Sequence, residues 1–176
     1  MTAGAMCCSR EFVDRAWEHA RAHGPVLHPF EVWLLRRSLK TYGLRMEGHK
    51  LNAMEVASFL EDHPAVEKVH FPGLKYHPQH EVAKRQMIGG FGGMLSFKLK
   101  GGYEAAHRAI RCTQMCILAM SLGGVETFIT HPAFLVNLHN TDEERRAAGV
   151  SPELIGMLVG AEDIEDIIGV LDTALV

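Results

Sequence analysis

Few cysteines, little net charge and no long apolar run mark this 176-residue sequence. The four cysteines are Cys7, Cys8, Cys112 and Cys116, an adjacent pair and an i, i+4 pair, and neither spacing is that of a secreted disulfide framework. A bond between chain neighbours is strained, so these residues are expected as small buried hydrophobes in a reducing compartment. Lys and Arg number 18 against 21 Asp and Glu, a formal charge of −3. That balance lacks the basic field that would draw nucleic acid or an anionic membrane, and neither is expected as a partner. No stretch of about 18 apolar residues occurs, and the first residues lack a basic region followed by an apolar one. A cytoplasmic location is the expectation. With 47% hydrophobic and 22% charged residues, the chain is not disordered, collagen-like or a coiled coil.

What is present reads as alternating helices and strands. Ser9 before Phe12, Val13, Ala16 and Trp17 is suited to cap a helix running to about Ala22, ended by Gly24 and Pro25. Pro29 opens a second helix, and apolar residues from Val32 to Leu60 recur at three- and four-residue steps. The spacing predicts one helix over 29–63, on the order of 50 Å long, with a bend at Gly43 or Gly48. Strands are predicted around Val66–Phe71, Met94–Leu99, Cys116–Ala119, Val125–Ile129 and Leu154–Val159. Helices are predicted over Pro78–Met87, Tyr103–Arg111 and Glu162–Ala174. The class is α+β, with helices on one face of a small sheet.

Eleven histidines invite a metal reading, which spacing does not support. His19 and His23 are one helical turn apart but lack a third ligand, and His77 with His80 is a shorter pair expected on the surface. Cys112 and Cys116 have no second cysteine pair. No metal is expected. The cluster Gly89-Gly90-Phe91-Gly92-Gly93 precedes a strand, whereas a phosphate-binding glycine loop follows a strand and opens a helix, so a tight turn is the better account. Ser121-Leu122-Gly123-Gly124 offers a hydroxyl and backbone donors that suit a carboxylate, and serves equally well as a turn.

Several strings then occur in a fixed order. They are Pro29-Phe30-Glu31-Val32-Trp33-Leu34-Leu35, Leu44-Arg45-Met46, Pro72-Gly73-Leu74, Ala83-Lys84-Arg85-Gln86-Met87, Gly92-Gly93-Met94-Leu95-Ser96-Phe97, Ser121-Leu122-Gly123-Gly124-Val125-Glu126-Thr127, His131-Pro132-Ala133 and Val159-Gly160 with Glu162-Asp163. Together they resemble the pyridoxal phosphate enzymes of cysteine and methionine metabolism, which include cystathionine gamma-synthase, cystathionine gamma-lyase and methionine gamma-lyase. The resemblance covers essentially the whole chain. It implies the C-terminal part of a fold-type-I enzyme: residues 1–28 as the tail end of the cofactor domain, 29–63 as a long linking helix, and 64–176 as a C-terminal α+β domain with a mainly antiparallel sheet.

The cofactor implied is pyridoxal phosphate. The resemblance places the lysine that forms the internal aldimine before Met1, so the chain is expected to be a truncated or degenerate form, with no catalytic residue of its own and inactive alone. Lys40, Lys50, Lys68, Lys75, Lys84, Lys98 and Lys100 lack that lysine's context and are expected as surface charges. The activity implied for a complete form is beta or gamma elimination or replacement on a sulfur-containing amino acid. Ser121 corresponds to the serine that helps hold the substrate carboxylate, with Leu122 beside it and Met120 at the preceding position, where cystathionine-processing members carry glutamate. Gly156, in Leu154-Ile155-Gly156-Met157-Leu158-Val159-Gly160, stands where the family has a carboxylate-clamping arginine. A backbone amide cannot imitate that planar fork. Residues 134–139 also depart from the family pattern. A homo-oligomer, or pairing with a cofactor domain, is the expected assembly. The alternative is a non-catalytic assembly or binding module that pairs with a full-length relative; an unrelated metal-binding domain rests only on the histidine count.

Overall fold

The computed structural model describes residues 3–121, 123–135 and 141–175. Two compact units form, residues 1–43 and 44–176. The first contains α1 (Arg10–His23) and α2 (Pro29–Leu39). Ser9 caps α1 by accepting a hydrogen bond from the Phe12 N–H, and Gly24 closes it at φ +78°, a left-handed conformation that glycine adopts without a Cβ penalty. The His28 ring accepts from the Phe30 N–H ahead of Pro29, which needs no partner at the first helical position. Neither helix has a buried residue, and Trp17, Phe30 and Trp33 are more than half exposed.

The helix expected over 29–63 is two helices. The Lys40 N–H turns back to the Arg37 carbonyl, a tighter bond than the helical ladder uses, and α3 starts only at Tyr42 (Tyr42–Asp62). Gly43 falls in the first turn of α3, where its low helix propensity weakens continuity. From Leu44 onward α3 belongs to the larger unit, because His49, Ala53, Val56, Ala57 and Leu60 make one stripe at three- and four-residue spacing, all buried.

The larger unit is α+β. After α3 come β1 (Val66–His70), α4 (His80–Gln86), β2 (Met94–Leu99), α5 (Gly102–Cys112), β3 (Ile117–Leu118), β4 (Phe128–Thr130), α6 (Pro132–Leu135), α7 (Asp142–Ala147), β5 (Leu154–Leu158) and α8 (Ile164–Ala174). The five strands form one sheet in the order β1-β2-β5-β4-β3. The pairs β1/β2, β2/β5 and β4/β5 are antiparallel, and only β3 joins β4 in parallel.

Register sorts the side chains of the central strands. Leu95 faces Met157, which faces Ile129, and Phe97 lies between Val69 and Ile155. These six residues are at most 4% exposed and share one core with α3, with Ala106, Ala109 and Ile110 of α5, and with Ile167 and Leu171 of α8. Fully burying a side chain of this size contributes roughly 1.5–3 kcal/mol, so this face is the main source of stability. On the other face Ser96, Gly156 and Thr130 form a row, flanked by Met94, Leu158 and Phe128.

The cysteines correct the sequence expectation. Cys116 is buried, whereas Cys7, Cys8 and Cys112 are exposed, the first two because the unit that carries them buries no helical residue. His77 and His80 are half-buried and organise the entry to α4, instead of standing in solvent. The His77 ring accepts from the Gln79 N–H, while the His80 ring donates to the Pro72 carbonyl at 2.8 Å and stacks on Phe91. His19 and His23 stack at 4.0 Å, and the His23 ring donates to the His19 carbonyl.

Candidate functional site

A pocket of about 250 Å³ opens on the sheet face that the core does not use. Met120 and Ser121 reach it from the turn after β3, Phe128 and Thr130 from β4, Gly156 and Leu158 from β5, and Met94 from β2. Three of the four site residues read from the sequence therefore converge, although 35 positions separate Ser121 from Gly156. Leu122, the fourth, lies outside the described residues. Ser121 and Met120 are exposed at the rim, and Gly156 is half-buried in the floor. A Cβ at Gly156 would stand 3.0 Å from the Thr130 Cγ2, so a larger side chain there needs a shift of a few tenths of an ångström from its neighbour.

Residues 125–127, which follow Ser121 in the chain, are held by a network that the spacing of the motifs does not reveal. Glu162 accepts from both the backbone N–H and the hydroxyl of Thr127, at 2.5 and 2.9 Å. The Thr127 oxygen in turn accepts from the Gly160 N–H at 2.9 Å. Asn52 of α3 donates to the Gly160 and Glu162 carbonyls, and the Ala161 N–H donates to the Val125 carbonyl. Thr127 is fully buried, and its polar atoms are satisfied, as burial demands. Burial first, and then the Glu162 carboxylate, push the nearby Cys116 thiol up to about 11, which leaves it an inert core group at neutral pH. Glu126-Thr127, Val159-Gly160 and Glu162 belong to the ordered strings of the sequence, but which of their atoms meet is set by the fold.

Next to Thr130, His131 joins the two strands of the pocket floor. It is fully buried, and its Nε2–H donates to the Pro152 carbonyl, two residues before β5, at 2.6 Å. Tyr103 packs on its ring at 4.9 Å, with His107 beyond at 6.4 Å. Burial lowers the His131 pKa; the Pro152 hydrogen bond opposes this in part and His107 adds to it. Across the sheet, burial also lowers His70, assisted by Lys68, Lys98 and His77.

The glycine cluster at 89–93 is explained by close approach. A Cβ at Gly90, where φ is +142°, would meet the Lys50 Cδ at 2.5 Å, and one at Gly93 would meet the His49 Cβ and the Val159 carbonyl at 3.1 Å. Lys50 and His49 thus pack against the backbone of Gly90 and Gly93, which leaves no room for a side chain there. Lys50 pairs with Glu47 at 2.6 Å, Lys98 with Glu153 at 3.1 Å, and Lys100 donates to the Pro64 carbonyl. No lysine is among the residues lining the pocket.

Relatives place this arrangement. The family model of the Cys/Met metabolism PLP-dependent enzymes matches residues 1–176. An L-methionine gamma-lyase of Fusobacterium nucleatum subsp. polymorphum is 47% identical over 152 residues, 86% of this chain and 38% of the relative. An L-methionine gamma-lyase of Treponema denticola is 45% identical over 175 residues, 98% of this chain and 43% of the relative. A cystathionine gamma-synthase of Mycobacterium bovis is 42% identical over 176 residues, 99% of this chain and 44% of the relative. The chain spans about two fifths of the length of these relatives, and with a match over its whole extent it belongs to the Cys/Met metabolism family of PLP-dependent enzymes.

Proposed function

We propose that this chain is the substrate-side, C-terminal part of a fold-type-I pyridoxal phosphate enzyme that acts on a sulfur-containing amino acid by beta or gamma elimination or replacement. The observation that supports this reading most is the convergence of Met120, Ser121 and Gly156 on one pocket of a sheet whose other face is core. The cofactor supplies the electron sink in this family's chemistry; this chain's part is to receive and orient the substrate. Ser121, at the rim, offers one hydroxyl donor to the substrate, and the Thr127–Glu162 network fixes the start of β4 beside it in sequence.

The test is complementation. The chain is co-expressed with the preceding part of the Treponema denticola relative, and thiol release from L-methionine is followed. Activity in the mixture, none with either part alone, and a loss of about tenfold or more in Ser121→Ala, as expected for one hydrogen bond to a charged group, support the reading. A mixture that forms a complex but shows no activity sinks it.

A second reading, a non-catalytic assembly module pairing with a full-length relative or with a second copy, is favoured by one observation. Helices α1 and α2 bury no residue and leave Trp17, Phe30 and Trp33 exposed, large aromatic side chains of the kind that interaction surfaces use. Sedimentation of the purified chain over a range of concentrations decides this, since a monomer throughout removes the reason for a self-pairing module.

A further inference from the structure

We infer that the β1–β2 end of the open sheet face is a binding site for a phosphate-type oxyanion, held by Lys68, His70, Ser96 and Lys98. The inference is independent of the reading of the Gly156 pocket as the substrate side.

Strand register brings these four side chains together. Lys68 stands directly opposite Lys98, and His70 opposite Ser96. Val69 and Phe97, the pair between them, are buried in the core, so alternation sends the other four to the opposite face. Neighbours of this kind lie about 5–8 Å apart, within reach of one small ion. Two ammonium groups facing each other across an antiparallel pair repel, and they destabilise it. One carboxylate answers them: Glu153 lies 3.1 Å from the Lys98 ammonium. Glu61 and Glu67 share a cleft at the edge of β1 with Lys68, yet among the described residues neither forms an ion pair with it. Positive charge is therefore left in excess on this patch.

Hydrogen-bonding capacity is also unspent. Among the described residues the Lys68 ammonium, the His70 ring and the Ser96 hydroxyl make no hydrogen bond to the protein, while the Lys98 ammonium uses one of its three donors on Glu153. Lys68 is exposed and the other three are half-buried, so all four are open to an ion from solution. Burial, and then Lys68, Lys98 and His77, hold the His70 ring toward its neutral form. The field of both lysines thus reaches the imidazole. A phosphate group carries up to two charges and several acceptor oxygens. It would relieve the lysine pair and accept from all four groups, where a carboxylate has one charge and two oxygens to offer.

The experiment titrates the isotope-labelled chain with inorganic phosphate and with methyl phosphate, at an ionic strength held constant with sodium chloride to account for general screening. The His70 and Ser96 amides are expected to shift saturably, and the His70 ring to titrate at a higher pH, because a bound dianion favours the imidazolium. Lys68→Gln, at an exposed position, should weaken binding severalfold, and Lys68→Gln combined with Lys98→Gln should abolish it. Saturation by inorganic phosphate alone assigns the site to the free ion, and saturation by methyl phosphate as well assigns it to phosphate esters; both uphold it. Shifts no larger than chloride alone produces overturn the inference, as does phosphate binding that the double variant retains. Should the double variant unfold, Lys68→Gln decides: a His70 midpoint that responds to phosphate as in the unaltered chain overturns the site.

Discussion

The two faces of the central sheet are built from the same strands and obey different rules. On one face Leu95, Phe97, Ile155, Met157 and Ile129 are at most 4% exposed and interlock with three helices. On the other, the same register lines up Ser96, Gly156 and Thr130 beneath an open pocket. Because side chains alternate along a strand, a chain can change one face without disturbing the other. That separation lets the open face vary at Gly156 while the packing of the covered face persists. Stability resides in the covered face.

The largest effect that would test this division is at the covered face. Phe97 is fully buried between Val69 and Ile155, so Phe97→Ala should cost about 3–5 kcal/mol. Urea unfolding checks it; a loss below about 1 kcal/mol, the range of surface changes, would mean that the covered face is not the seat of stability.

Local signals explain what was legible beforehand. Ser9 and Gly24 bracket α1, and alternation at Leu95, Phe97 and Leu99 marks β2, because both patterns lie within a few residues of what they specify. The break at Lys40 was hidden, since the apolar spacing of α2 continues in α3 as though no turn intervened. Helix α6 is only four residues, too short for periodicity to register. Helix α7 carries a local signal of its own: Thr141 and Glu144 bond reciprocally, the Thr141 N–H to the Glu144 carboxylate and the Glu144 N–H to the Thr141 hydroxyl, as in a capping box. At the site, ordered motifs pointed to Ser121 and Gly156. Thr130, Phe128 and Met94 could be found only once the strand register was known.

The next largest effect concerns the network of Thr127, Gly160 and Glu162. A Cβ at Gly160 would fall 2.5 Å from the Val125 carbonyl oxygen and 2.6 Å from the Glu126 carbonyl carbon, both backbone. Gly160→Ala should therefore destabilise by roughly 1–3 kcal/mol and shift the Ser121 amide as well, through displacement of the Val125–Thr127 segment. Full stability with an unmoved Ser121 amide would show that the two segments are not mechanically joined.

Acid provides a graded version of the same test. Burial holds the His131 pKa below its ordinary value, while in the unfolded chain it titrates near about 6.5. Above that pH the ring is neutral in both states and its hydrogen bond to the Pro152 carbonyl is intact. As the pH falls below it, the unfolded chain takes up a proton that the folded chain resists, and stability declines toward the folded-state value. Unfolding midpoints at pH 7.5 and 5.5 should differ more in the unaltered chain than in His131→Gln, which retains a donor toward Pro152. Identical pH dependence in the two would remove His131 from the account.

The smallest expected effect on stability carries the most information about the open face. Met120 is 65% exposed at the pocket rim and lies outside the core, so Met120→Ala should change stability by no more than about 0.5 kcal/mol. The pocket should respond differently. Removing the Met120 side chain should shift the amides of Ser121 and Gly156, which line the same pocket, with no change in the fold by circular dichroism. Phe97→Ala measured alongside should do the opposite, lowering stability steeply while the Ser121 and Gly156 amides of molecules that remain folded stay where they were. Should Met120→Ala destabilise the chain as much as a core truncation, the two faces are not energetically separate, and the survival of the fold around Gly156 would need another explanation.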